Sequence, residues 1–214
     1  FVIGNYAYDI KSFLSLKTCC PDKLSLLSFS MSGYTIGNRT LVKEVFQLTA
    51  GEFILVRNNK IYKEFYYNYS PWKVKSDTKA SIKKNLSDIM ITILEDMYNS
   101  VDGRQIIVPL SAGYDSRLIA SGLKEIGAKD VVCLSYGRKD SFEARASKEI
   151  ANKLGYKWLH KPVTIKSQKY FFESETYREY LTLFDSYASV PAVQDVSEVY
   201  DIKINNLVDK SAVF

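Results

Sequence analysis

The spacing of apolar residues divides the middle of the chain into alternating strand-like and helix-like segments. Three short apolar runs, rich in β-branched residues, predict strands at residues 105–110, 130–136 and 156–163. A helical pattern opens at Arg117, and a second covers residues 142–154, where apolar residues recur every four positions before Gly155. Strand, helix, strand, helix, strand with short connections predicts an α/β fold with a doubly wound parallel sheet.

The preceding part of the chain predicts a β-hairpin and then a long amphipathic helix. Residues 52–57 and 60–67 are strand-like, and Asn58 and Asn59 between them tolerate the positive φ of a tight turn. Residues 71–77 form the expected linker, in which Ser76 or Asp77 is expected to cap the helix. The apolar positions of that helix recur at three- and four-residue spacing, at Ile82, Leu86, Ile89, Ile93 and Met97. Residues 170–184 are also expected to be helical.

The candidate chemistry lies in residues 111–116, Ser-Ala-Gly-Tyr-Asp-Ser, between the first central strand and its helix. The first N–H groups of a helix have no internal partner, so a helix that starts here favours an anion. Ser111 and Ser116 can add hydroxyl donors, and Gly113 lets the backbone approach a phosphate closely. Asp115 would repel a bare anion, which indicates a role in holding Mg²⁺ or bracing the loop. An ordinary helix start capped by Asp115 or Ser116 is the alternative.

Neither common glycine-rich nucleotide motif occurs in the chain: there is no Gly-x-x-x-x-Gly-Lys-Ser/Thr and no Gly-x-Gly-x-x-Gly after a strand. The segment instead resembles the pyrophosphate-binding loop of the N-type ATP pyrophosphatases, Ser-Gly-Gly-x-Asp-Ser, with Ala112 in place of the first glycine. Residues 134–137, 143–146 and 150–155 resemble the second strand and helix of the synthetase domain in the asparagine synthetase family. Residues 33–67 resemble the closing segment of that family's glutaminase domain.

The resemblance implies two domains. Residues 1–70 would be the C-terminal part of a glutaminase-like (Ntn-type) domain that contains the hairpin. Residues 71–214 would be the N-terminal part of an ATP pyrophosphatase-type synthetase domain with the adenine nucleotide α hydrolase-like fold. The family's glutaminase uses a cysteine at the start of the mature chain, whereas residue 1 here is Phe. The synthetase's later Ser-Gly-x-x-x-Asp loop is also missing, so the sequence predicts an internal fragment of a longer enzyme, inactive by itself.

The resemblance also implies an activity: ATP-dependent amidation of a carboxylate through an acyl-adenylate, forming AMP and pyrophosphate. ATP and Mg²⁺ would be the cofactors, and glutamine-derived ammonia the nitrogen source in the full-length enzyme. Asp115 is expected to be the catalytic and metal-binding residue. Adenine is expected near Leu110 and residues 135–137. The full set of expected nucleotide-binding residues is Leu110, Ser111, Ala112, Gly113, Tyr114, Asp115, Ser116, Ser135, Tyr136 and Gly137.

The substrate stays open between aspartate and another carboxylate. Ala112, Tyr114 and Arg117 depart from the small residues usual in aspartate-specific members. A tRNA-modifying adenylating enzyme is the second alternative. Such an enzyme shares the loop, but it would not account for the glutaminase-like pattern of residues 33–67. A non-catalytic ATP-binding or scaffold relative is the third alternative.

Composition limits the expected partners and the expected cellular compartment. The net charge of +5 comes from lysines dispersed along the chain, so nucleic acid is not an expected partner. The sequence has no run of eighteen apolar residues, so no transmembrane helix is expected, and no signal peptide is visible. Three cysteines without metal-ligand spacing indicate reduced thiols, no zinc site and a cytoplasmic protein. A homodimer remains open.

Overall fold

The computed structural model describes residues 2–13, 20–72, 76–193 and 195–214. Along the chain its helices and strands are α1 (Ala7–Phe13), α2 (Lys23–Ser32), β1 (Glu52–Arg57), β2 (Lys60–Phe65), α3 (Lys79–Ser100), β3 (Ile106–Pro109), α4 (Tyr114–Glu125), β4 (Val131–Gly137), α5 (Phe142–Leu154), β5 (Lys157–Pro162), α6 (Ile165–Phe172), α7 (Glu175–Phe184) and α8 (Val196–Ile204). The three central strands and the hairpin strands all lie where the sequence predicts them, to within two residues at each end.

The chain divides into two compact units. The first contains Phe1–Val74 and Phe172–Ala192, and the second contains Lys75–Phe171 and Val193–Phe214. This division differs from a single cut at residue 70 because a later segment returns to the first unit. There the N–H of Thr35 donates to the carbonyl of Ala188, and the N–H of Leu41 donates to that of Tyr187, both at 2.6 Å. The assignment of either unit to a glutaminase or synthetase domain stays a prediction.

In the first unit, β1 and β2 form an antiparallel hairpin in which Arg57 pairs with Lys60. Asn58 and Asn59 have φ of 50° and 59°, the left-handed values that a two-residue hairpin turn requires. The predicted tight turn is therefore confirmed. Helix α2 begins at Asp22, whose carboxylate accepts from the N–H groups of Leu24 and Ser25.

In the second unit, β3, β4 and β5 form a parallel sheet in that order. The chain then returns to the opposite edge of β3, where Val213 pairs with Ile106 in parallel. The N–H of Ile107 donates to the carbonyl of Val213 at 2.8 Å, and the N–H of Val213 donates to that of Gln105 at 2.9 Å. The strand order thus reverses at β3, which is the defining feature of a doubly wound sheet. The predicted α/β class is confirmed.

Helices cover both faces of this sheet. On one face, Val108 and Cys133 pack with Leu123 of α4 and Ala151 of α5. On the other face, Ile107, Val132 and Leu134 pack with Ile202 of α8, together with Val208 and Ala212. Alternate side chains of a strand point to opposite faces, so strands covered on both sides need continuous apolar runs, as the sequence has.

The helix boundaries agree in part with the sequence prediction. Helix α5 begins at the cap Ser141, whose Oγ accepts from the N–H of Ala144, and ends at Gly155 with φ of 71°. The predicted cap of α3 at Ser76 or Asp77 is wrong: Thr78 has the extended backbone of a cap, and its Oγ accepts from the N–H of Ser81. The helical character expected for residues 170–184 is confirmed, with a break at residues 173–174 between α6 and α7.

The apolar stripe predicted for α3 is on the surface of its unit. Ile82, Leu86, Ile89 and Ile93 are each more than half exposed, whereas the neighbouring Leu94 is buried. Across the described ranges of the chain, no helix combines the length and apolar character needed to cross a bilayer.

Gly122 marks the close approach of α4 to α3. A Cβ added there would lie 2.2 Å from Cδ1 of Leu94. We expect Gly122→Ala to lower the free energy of unfolding by about 1–3 kcal/mol, because overpacking outweighs the gain of up to about 1 kcal/mol in helix propensity. Urea unfolding measures the change. Combining it with Leu94→Ala opens the space, so the double variant should lose less stability than the sum of the single variants. Additive losses would contradict the contact.

Candidate functional site

The candidate site is the loop that joins the carboxyl end of β3 to the first turn of α4. β3 has β4 on one side and Val213 on the other, so the loop follows the strand at which the order reverses. Ligands of doubly wound sheets bind outside the carboxyl ends of the strands at this reversal. The loop therefore occupies the position that this fold class uses for binding.

Two serine hydroxyls brace the loop against the helix. The N–H of Ser111 donates to Oγ of Ser116 at 3.1 Å, and the two Oγ atoms lie 3.0 Å apart. The N–H of Gly113 donates to Oγ of Ser111 at 3.1 Å. Only one hydroxyl proton can lie between the two oxygens. The other has at most a 3.5 Å contact with the Ser111 carbonyl, so it is available to a ligand.

The first turn of α4 has no side-chain cap. Gly113 is the cap residue, with φ of −68° and ψ of 164°, and no side chain among the described residues caps the first N–H groups of the helix. The alternative in which Asp115 or Ser116 caps the helix is therefore not what the structure shows. The exposed N–H groups and the helix dipole leave this end of α4 suited to an anion. A Cβ at position 113 would lie 3.1 Å from Oγ of Ser111, which explains why the position suits glycine.

Asp115 lies in the exposed first turn of α4. Within the described residues it makes no hydrogen bond or ion pair, so its carboxylate is free to bind. No cluster of three or more acidic, histidine or cysteine side chains that could hold a metal ion occurs in the described part of the chain. Mg²⁺ is typically held by one or two carboxylates plus substrate phosphates and water, which a single Asp115 fits. Ala112 beside it is half-buried, and Tyr114 is 83% exposed.

The residues expected near adenine lie on the neighbouring strand end. Pro109 pairs with Leu134, so Leu110 and Ser135 follow adjacent strand positions. Leu110 is 3% exposed in the core, and its N–H donates to the carbonyl of Leu134 at 2.7 Å. Ser135 is also buried, so only its backbone groups can contact a ligand. Gly137 ends β4 with φ of 107°, a value that L side chains rarely adopt.

The structure adds a histidine that sequence reasoning left aside. Oγ of Ser135 lies 2.9 Å from Nδ1 of His160 on β5, and the imidazole stacks on Trp158 with ring centroids 5.4 Å apart. Nε2 of His160 is buried and makes no hydrogen bond within the described residues. Burial lowers the pKa of His160, and the nearby backbone of Gly137 opposes this shift. The parallel register of β4 and β5 would have identified this pair, since Ser135 aligns with His160.

A second set of polar contacts closes the opposite face of β4. The hydroxyl of Tyr136 donates to the carboxylate of Asp195, which precedes α8. Burial, followed by Asp195, raises the pKa of Tyr136 well above its usual range. One turn later, Glu198 is 2% exposed and accepts from Nε2 of Gln168 at 3.2 Å. The Asp-x-x-Glu spacing was visible in the sequence, but nothing local connected it to Tyr136.

A groove of about 610 Å³ lies beside α4 and α5. Its lining is mainly apolar and consists of Tyr114, Asp115, Arg117, Leu118, Ser121, Ile150, Lys153 and Leu154. It shares Tyr114 and Asp115 with the loop. The groove also includes Arg117 but neither Ser111 nor Ser116, so it adjoins the loop on the side of Tyr114, Asp115 and Arg117.

No protein-family model matches the chain, and no curated protein matches it. Among solved structures, the chain is similar to the NH3-dependent NAD synthetase from Campylobacter jejuni subsp. jejuni NCTC 11168 in complex with the nitrate ion. The two share 14% identity over 58% of this chain and 49% of that chain, with a TM-score of 0.37. The chain thus spans about half the length of that enzyme. A likeness at this level gives no basis for assigning a function.

The His160 environment predicts a pH dependence of stability. The folded pKa lies below the ordinary value, so the unfolded chain binds a proton more readily. Stability from this group is therefore complete above about pH 6.5 and is lost as the pH falls toward the lowered folded pKa. His160 is the only histidine in the chain, so His160→Gln should make the free energy of unfolding fall less between pH 7 and pH 5. Urea titrations at the two pH values measure this. Equal losses in both proteins would contradict the assignment.

Proposed function

We propose that this chain is the ATP-binding part of an asparagine synthetase-like ligase, which amidates a carboxylate and forms AMP and pyrophosphate. One observation carries the proposal: an uncapped helix start, with hydroxyls braced beside it, at the strand-order reversal of a parallel sheet. The Ser-Ala-Gly-Tyr-Asp-Ser sequence of that loop supports a pyrophosphate ligand in particular. The activity belongs to the full-length protein, of which this chain would supply the nucleotide loop.

The proposed reaction has two transfers. A carboxylate oxygen of the substrate attacks the α-phosphorus of ATP, the bond to the β-phosphate oxygen breaks, and pyrophosphate leaves. Ammonia then attacks the acyl carbon, a carbon–nitrogen bond forms, the bond from that carbon to the AMP oxygen breaks, AMP leaves with the electron pair, and the nitrogen loses a proton to solvent. The exposed N–H groups of α4 and the free hydroxyl proton of the Ser111–Ser116 pair face the departing pyrophosphate. Their benefit is electrostatic, because they are fixed before charge develops on the leaving group.

Asp115 is the proposed Mg²⁺ residue of this chain. When bound, Mg²⁺ would neutralise phosphate oxygens and so favour departure of pyrophosphate. The free carboxylate of Asp115 stands in the first turn of α4, next to the exposed N–H groups. Placing a carboxylate there without a cation would weaken anion binding, so its position favours a metal-bridged phosphate over a bare anion.

On the adenine side, we assign the base to the ends of β3 and β4. The backbone of Leu110, Ser135 and Gly137 would contact the base. The side chains of Leu110 and Ser135 are buried, and Gly137 has none. Tyr136 is partly exposed, and its hydroxyl is held by Asp195, which fixes the ring at the rim. The substrate is aspartate or another carboxylate. Glutamine-derived ammonia, a cytoplasmic location and a homodimer remain proposals for the full-length protein.

The first test uses the full-length protein with ATP, Mg²⁺, glutamine and aspartate, and identifies the phosphate products. We expect AMP and pyrophosphate in equal amounts, dependent on a carboxylate substrate. Dependence on aspartate would identify asparagine synthesis. ATP binding without turnover on aspartate would point to a different carboxylate, to be found by screening. Failure to bind ATP would overturn the proposal.

Asp115→Ala should lower the rate of pyrophosphate release by at least about 100-fold, because the variant removes the carboxylate that holds Mg²⁺ against the phosphates. A coupled pyrophosphate assay on the full-length protein measures the rate. Asp88→Ala, an exposed carboxylate on α3, is the matched control and should retain the parent rate. A rate for Asp115→Ala within about threefold of the parent would remove Asp115 from this role.

A further inference from the structure

A tyrosine and an arginine form an ordered pair at the start of α4. The Nε–H of Arg117 donates to the carbonyl of Gly113 at 3.0 Å. The guanidinium carbon lies 4.4 Å from the centroid of the Tyr114 ring, within cation–π distance. Two contacts of different kinds therefore turn this arginine back toward the loop and hold the plane of its guanidinium there.

The outer edge of that guanidinium is unused. Within the described residues, Nη1 and Nη2 of Arg117 make no hydrogen bond or ion pair. The Nε contact and the ring fix the side chain, so the terminal donors are already oriented before a ligand arrives. A planar guanidinium with two parallel free donors matches two oxygens of a phosphate group. This geometry suits the binding of an oxyanion.

The charge of the loop points to the same ligand. Residues 105–116 contain neither lysine nor arginine, and their single charged residue is the negative Asp115. Pyrophosphate carries several negative charges, and helix N–H groups contribute only about half an elementary charge. The common glycine-rich phosphate loop solves this problem with a lysine inside the motif. Here the first cationic residue after the motif is Arg117, which directly follows Ser116 in the sequence.

We propose that Arg117 binds the pyrophosphate portion of ATP, and that Tyr114 acts as its positioning residue. This inference rests on the proposed function and adds to it a cation that the serine loop itself lacks. A substrate carboxylate is the other oxyanion that could reach the same donors. Pyrophosphate is favoured because the backbone contact of Arg117 is to Gly113, the residue at which the exposed N–H groups of α4 begin.

The test is isothermal titration of the full-length protein with inorganic pyrophosphate and Mg²⁺, and separately with adenosine. Arg117→Gln should weaken pyrophosphate binding by about 10- to 100-fold, as expected for losing charge-assisted hydrogen bonds. Arg117→Lys keeps the charge without the fork and should recover part of the affinity. Adenosine affinity should stay unchanged in both variants. Arg104→Gln, at the opposite end of β3, is the matched control and should bind pyrophosphate as the parent does.

Variants of Tyr114 test whether this residue positions Arg117 and does not itself bind pyrophosphate. Tyr114→Phe keeps the ring under the guanidinium and should leave the pyrophosphate affinity unchanged. Tyr114→Ala removes the ring, so the affinity should fall by less than in Arg117→Gln, because the arginine stays present but is less ordered. A pair that only stiffened the helix would instead change the melting temperature of these variants and leave the pyrophosphate affinity constant.

The outcomes distinguish this inference from the proposed function. If the parent binds pyrophosphate and folded Arg117→Gln binds it within about twofold, the role of Arg117 is wrong and the proposed function stands. If Arg117→Gln raises only the KM for the carboxylate substrate, the arginine belongs to that substrate and the inference is overturned. If the parent binds neither ATP nor pyrophosphate, both proposals fail. Arg117→Lys decides the matter in the same way should Arg117→Gln not fold.

Discussion

Parallel pairing on both sides of β3 is the constraint on which the rest of the second unit depends. With β4 on one side and Val213 on the other, β3 lies inside the sheet. Its faces must then be covered, by α4 and α5 on one side and α8 on the other. Its carboxyl end faces solvent, because neighbouring connections leave in opposite directions there. The candidate loop follows directly from that position.

The polar groups at the ends of β3 and β4 differ in whether they already have hydrogen-bond partners. After β3, the carboxylate of Asp115 and the outer donors of the Arg117 guanidinium have no partner among the residues that the structure describes. In the last residues of β4, the hydroxyl of Ser135 is hydrogen-bonded to His160, and that of Tyr136 to the carboxylate of Asp195 before α8. Groups that bind a charged ligand need free donors and acceptors, whereas groups that form a wall need fixed ones. This difference supports the proposed arrangement, in which phosphates bind at the end of β3 and the base binds at the end of β4.

Local signals in the sequence predicted most of what is local in the structure. The turn at Asn58 and the helix end at Gly155 each depend on residues within four positions, and each is where the pattern placed it. The cap of α3 was missed by one residue because Ser76, Asp77 and Thr78 are all good caps and tertiary structure selects among them. The partners of Ser135 and Tyr136 are 25 and 59 residues away, and only the strand register or the fold brings them together.

The return of Phe172–Ala192 to the first unit has a consequence for how the chain matures on the ribosome. The three strands of the sheet emerge before residues 172–192, with one apolar face and one edge of β3 still uncovered. The chain must then add to the other unit before α8 and Val213 arrive to close that face and edge. Neither unit is therefore a continuous segment that can be excised at one cut. An expression boundary placed near residue 171 would leave a sheet with an open edge, the arrangement most prone to pairing with other chains.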